Sequence, residues 1–140
     1  MAYFWSILEP MRTKKWLWIV FLAIPLANVW GQAEIFAPIK DAIKANNAKE
    51  AVKYFNQSAD INIEGEVNNY SKAQAEFVLG DFFKKHPVAE FNIVHTGSSP
   101  SGLKFAIGKY QSGGDSYSVL MRVKESDKKY FVHEISFIKE

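Results

Sequence analysis

From Glu34 onward, apolar residues recur at helical spacing. Ile35, Ile39, Ala42 and Ile43 fall on one side, with Lys40, Asp41 and Lys44 on the other, which predicts a first amphipathic helix. Asn47-Ala48-Lys49-Glu50 places a capping residue three positions before a Glu, a relative of the capping box that satisfies two free amide groups. It opens a second short helix with Ala48, Ala51, Val52 and Phe55 inward. Asp60-Ile61-Asn62-Ile63-Glu64 alternates and predicts a strand, turned by Gly65. Ser71-Lys72-Ala73-Gln74 is a second capping box. The helix it starts carries Ala75, Val78, Leu79 and Phe82 on one face. Lys84, Lys85 and His86 lie at its C-terminus, where cations suit the helix dipole, and Pro87 ends it.

Beyond Pro87 the period changes to two. Strands are predicted over Phe91–Thr96, Leu103–Gln111, Tyr117–Lys124 and Tyr130–Lys139. They are separated by the loop Ser98-Ser99-Pro100-Ser101-Gly102, the tight hairpin Ser112-Gly113-Gly114-Asp115 and the turn Ser126-Asp127-Lys128. Four strands with such short connections form an antiparallel meander. N-terminal helices can cover only one face of it, so the fold class is α+β.

The residues before Glu34 follow another order. Met11-Arg12-Thr13-Lys14-Lys15 is basic, Trp16 to Ile24 carries no charge, Pro25 and Asn28 break the run, and Gly31-Gln32-Ala33 supplies small residues. Basic, apolar, small is the order of a secretory signal, with translation starting at Met11 and cleavage after Ala33, or second after Gly31. Met1–Pro10 then reads as an upstream extension or a misplaced start. An uncleaved anchor over Trp16–Ala33 is the competing reading, and the interrupted second half of that span argues against it. The expected organisation is a signal region over 1–33 and one α+β domain over 34–140. The domain is exported to the periplasm or the exterior and leaves the membrane once the leader is cut.

Composition narrows the function classes. A hydrophobic content of 48% and an aromatic content of 15% support a core and argue against disorder. Arg12, Lys14 and Lys15 against Glu9 account for the whole net charge of +2, so the region from Glu34 is neutral. A neutral domain has no general attraction for nucleic acid. With no cysteine, the chain can hold no disulfide, thiolate nucleophile, cysteine metal site or lipid-modified cysteine.

Several segments, Ala48-Lys49-Glu50, Tyr54-Phe55-Asn56, Tyr70-Ser71-Lys72-Ala73-Gln74-Ala75-Glu76, Asp81-Phe82-Phe83, His95-Thr96-Gly97-Ser98-Ser99 and Ala106-Ile107-Gly108, carry a resemblance. The chain from about Glu34 to Glu140 resembles the nuclear-transport-factor-2-like (cystatin-like cone) superfamily. It is more closely similar to a family of small secreted bacterial proteins of unknown function. The resemblance implies a curved sheet wrapped around helices, and export. The superfamily holds ligand binders, dimeric scaffolds and a minority of enzymes such as isomerases and dehydratases, so it does not assign a function.

The candidate chemistry is sparse. There is no phosphate-cradling glycine motif and no ligand-like spacing among His86, His95 and His133, so neither cofactor nor metal is expected. His86 reads as a helix-end cation. Asp81 falls beside Lys85 and reads as surface. His95 is in phase with Phe91 and Ile93, and His133 with Phe131, Ile135 and Phe137. If those phases face the interior, two imidazoles could meet at one cavity and serve as acid and base; otherwise they are ordinary strand-end histidines. The candidate pocket is His95, Phe105, Tyr117, Met121 and His133. Both faces of the late strands are apolar, so either a second subunit covers the outer face or it carries scattered surface hydrophobes. Three functions stand: a non-catalytic module binding a small apolar ligand or a protein, an isomerase- or dehydratase-type enzyme using a strand histidine, and a structural partner without a pocket.

Overall fold

The computed structural model describes residues 31–140, so the basic start and apolar run of the expected leader lie outside the described residues. The order is α1 (Gly31–Lys44), α2 (Ala48–Val52), β1 (Phe55–Ile63), β2 (Glu66–Ser71), α3 (Lys72–Lys85), β3 (Glu90–Ser98), β4 (Lys104–Ser112), β5 (Asp115–Ser126) and β6 (Lys129–Lys139). Among the described residues no helix is long and apolar enough to cross a membrane.

Local chemistry sets the helix ends. α1 begins three residues before the expected Glu34, so the expected cleavage point falls in its first turn. Asn46 ends it in the left-handed region, with φ 54°. The Asn47 amide then donates to the Ala42 carbonyl at 2.9 Å, and the Asn46 amide to Ile43 at 3.0 Å. This is the Schellman pattern, which closes carbonyls that the helix leaves open. The Asn46 side chain also accepts from the Val88 amide at 2.9 Å, tying the helix end to the approach to β3. Asn47 caps α2 through the Glu50 amide at 3.1 Å. Ser71 and Gln74 form the expected reciprocal box at the start of α3.

The six strands form one curved sheet in the order β2-β1-β6-β5-β4-β3. β3 to β6 are the expected antiparallel meander. β1 lies parallel to β6, so the sheet is mixed rather than purely antiparallel. Pairing the first strand with the last covers an edge that would otherwise be open. Phe55 opens this strand instead of closing α2; the Tyr54 carbonyl accepts from the Val132 amide at 2.8 Å. β2 has no counterpart in the sequence reading. As an edge strand exposed at Glu66, Val67, Asn68 and Asn69, it needs no apolar face to reveal it.

The helices supply Phe36, Ile39, Ile43, Leu79, Phe82 and Phe83 to a core whose sheet side is Phe55, Ile61, Phe91, Tyr110, Tyr117, Val119, Met121, Ile135 and Phe137. Gly108 has no side chain for a packing reason. A Cβ there would meet the Phe91 ring at 2.7 Å and the Asn92 carbonyl oxygen at 3.0 Å.

Two irregularities decide which side chains face this core. The β3–β4 register slips between Ile93 and His95, and the β5–β6 register slips between Arg122 and Val123, passing over His133. An extra residue exchanges the two faces of a strand. Phe91 and Ile93 therefore face inward while His95 pairs with Ile107 on the outside. Likewise Val132 is buried beside Val123, and Phe131 pairs with Lys124 on the outer face, which reverses the expected phase of both.

Candidate functional site

The described residues bring titratable side chains together against the core at the C-terminal end of α3. Pro87 cannot continue the helix, so His86 becomes its cap, and its amide donates to the Phe82 carbonyl at 2.8 Å. The Tyr110 hydroxyl donates to the His86 carbonyl. The imidazole packs against Phe82 and Tyr117, with ring centroids 5.1 and 5.3 Å away. Tyr117 Oη lies 3.2 Å from His86 Nδ1 and 3.4 Å from Glu64 Oε1.

Glu64 reaches this point because β1 and β2 are joined by a two-residue turn. Glu64 and Gly65 both adopt positive φ, 54° and 93°, the geometry that matches strand twist in tight hairpins. The Asn62 side chain accepts from the Gly65 amide at 2.9 Å, and the Glu64 amide donates to the Phe137 carbonyl at 2.9 Å. Burial first, then the charges of Glu64 and Asp115, push the Tyr117 hydroxyl above its ordinary value; Lys139 opposes this. Tyr117 is thereby kept neutral, its hydroxyl donating to the Glu64 carboxylate with the His86 imidazole alongside.

Glu64 and His86, with the buried Tyr117 behind them, border a groove of about 480 Å³ between α3 and the β1–β2 hairpin. Its apolar walls are Ile63, Tyr70, Phe77, Val78 and Phe82. Phe77 is 81% exposed, the most exposed large apolar side chain among the described residues. Asp81 and Lys85, also on the rim, pair at 3.0 Å across one helical turn, as the sequence spacing predicts. An apolar trough ending in an imidazole and a carboxylate can seat an apolar body and hydrogen-bond one end of it.

The five residues singled out from sequence do not meet. Tyr117 and Met121 are fully buried on the inner face. His95 and Phe105 lie on the outer face with rings 5.9 Å apart, and His95 is exposed. His133 is half-buried on the outer side, in a cavity of about 360 Å³ with Asp60, Arg122, Lys124 and Glu134. β4 and β5 stand between the two histidines, so three strand spacings, about 14 Å, separate their strands. The register slips turned both imidazoles away from the interior. His86 is the histidine that meets the core instead. Its signal was the adjoining Pro87, and the signal for the groove was Phe77, an aromatic off the apolar face of its helix. Among the described residues no three His, Asp or Glu side chains are grouped to hold a metal ion.

Residues 36–137 match the family model described as Domain of unknown function (DUF4783). No curated protein matches the chain. The crystal structure of a DUF4783 family protein from Bacteroides ovatus is similar, with 28% identity, a TM-score of 0.72, and 79% of this chain and 98% of that one covered. One from Bacteroides uniformis has 27% identity and a TM-score of 0.69, covering 74% and 95%. An NTF2-like protein of unknown function from Shewanella baltica shares the fold at 11% identity, with a TM-score of 0.63 and 84% and 98% covered.

Proposed function

The chain belongs to the DUF4783 family of NTF2-like domains, and from that premise we propose that it is an exported, non-catalytic module that binds a small, largely apolar ligand in the groove beside α3. The observation that carries this reading is the exposed Phe77 ring, which forms a wall of a trough ending at Glu64 and His86. A volume of about 480 Å³ suits a small organic molecule. Catalysis of isomerase or dehydratase type through a strand histidine gains no support, because His95 and His133 lie on the outer face, apart from each other and from the groove.

Native mass spectrometry of the full chain, purified gently from an exporting bacterial host, tests the proposal. An adduct mass is expected, and Phe77→Asp should remove it without shifting the thermal midpoint. A clean unliganded mass in the unsubstituted chain, or an adduct that survives Phe77→Asp, would count against the groove.

A second reading concerns the outer sheet face. Phe105, Ile107 and Leu120 are half-buried there and Ile138 is exposed, and Arg122 pairs with Glu134 at 3.2 Å among them. Apolar side chains around one charge of each sign make a surface that can pair with its own copy about a two-fold axis. Sedimentation of the full chain should then show a dimer that Leu120→Lys converts to monomer; a monomer at all concentrations would exclude it.

A further inference from the structure

A different cavity, of about 470 Å³, lies where Ile35 and Pro38 of α1 and Tyr54 approach Tyr130 at the start of β6. Among the described residues it shares none with the α3 groove. Among the described residues its charged lining is Lys53, Lys128 and Lys129, with no carboxylate. The α3 groove, in contrast, is lined by Glu64, Asp81 and Lys85. The outer-face cavity balances Asp60 and Glu134 against Arg122 and Lys124. In a region whose charges cancel overall, this one cavity thus gathers three cations.

Their availability differs. Lys53 is held by Glu50 at 2.7 Å. Lys128 and Lys129 form no ion pair among the described residues. They are not on a long loop. Asp127 and Lys128 make a two-residue turn with φ 51° and 64°, and Ser126 and Lys129 close the ladder beneath it. A fourth cation, Lys104, places Nζ 5.3 Å from the centre of the Tyr130 ring. Behind this rim the wall is apolar and aromatic, and Pro38 adds no amide donor to it.

We infer that this cavity is a binding site for a small amphipathic monoanion, an aromatic or alkyl carboxylate or sulfonate whose apolar body lies against Ile35, Pro38, Tyr54 and Tyr130 and whose charge meets Lys128 and Lys129. Charge complementarity at the rim supplies selectivity, and the apolar wall supplies burial.

Two fluorescent probes separate these contributions in the full chain: 8-anilinonaphthalene-1-sulfonate and its uncharged counterpart N-phenyl-1-naphthylamine. The sulfonate should bind at least about tenfold more tightly than the uncharged dye. The double substitution Lys128→Gln and Lys129→Gln should weaken the sulfonate by about tenfold and leave the uncharged dye unchanged. Lys128→Arg with Lys129→Arg should retain binding, and Phe77→Asp should leave it unaltered. Equal affinity for the two dyes in the Phe77→Asp chain, where the α3 groove is closed to an apolar dye, would overturn the inference. So would undiminished sulfonate binding in the glutamine variant, loss in the arginine variant, or loss through Phe77→Asp.

Discussion

The hydroxyl of Tyr117 on β5 lies 3.2 Å from Nδ1 of His86, the residue that caps α3. The contact ties the end of a helix to the centre of the sheet and holds a phenol where ionisation is unfavourable. Tyr110 sits beside it, and burial, then the neighbouring Tyr117, push its hydroxyl up as well.

Alkaline stability should report this. Below the ordinary tyrosine range near pH 10, folded and unfolded chains both keep these protons, and the full stability is present. Above it the unfolded chain releases protons that the folded chain retains, so stability falls as pH rises. Urea midpoints measured from pH 8 to 11.5 should decline above about pH 10. Tyr110→Phe should flatten that decline, since the other titrating groups are common to both chains. An unchanged slope would mean that Tyr110 ionises alike in the folded and unfolded states.

Asn46 combines a left-handed backbone with a side-chain bond to the Val88 amide. Asn46→Ala should cost about 1–2 kcal/mol, from the strained φ and the lost acceptor. Asn46→Gly keeps the backbone geometry and should cost less. Denaturant midpoints order the three chains, and an alanine variant as stable as the glycine one would contradict the left-handed assignment.

Gly108→Ala should destabilise the domain by about 1–3 kcal/mol, because the new methyl meets the Phe91 ring and a backbone oxygen that cannot turn aside. Adding Phe91→Leu should recover part of the loss by removing the ring half of the clash. Thermal denaturation of the single and double variants measures the coupling; simple additivity would refute it.

The export proposal predicts a mass. A chain produced in an exporting host should be recovered outside the cytoplasm with Glu34 at its N-terminus. Ala33→Leu should retain the leader, because a large residue replaces the small one expected at the cut. Recovery of unsubstituted chain with residues before Gly31 intact would reject cleavage there.

Sequence alone determined the features that depend on neighbours along the chain. Asn47, the Ser71–Gln74 box and Pro87 mark helix ends through local hydrogen bonding, and period-two patterning marks β3 to β6. Gly113-Gly114 and Asp127-Lys128 mark turns through backbone freedom and polarity. The α+β class and the superfamily resemblance follow from that order. Tertiary structure decided what depends on pairing between distant segments. β1 lies parallel to β6 because the partner of an edge is chosen across the sheet, and β2 is a strand because β1 offers it hydrogen bonds. The faces of His95, Phe131 and His133 were fixed by register slips that add a residue without any mark in the alternation. Glu64, His86 and Tyr117 meet for the same reason: a hairpin turn, a helix cap and a central strand, far apart in sequence, are brought together only when the sheet curves around α3.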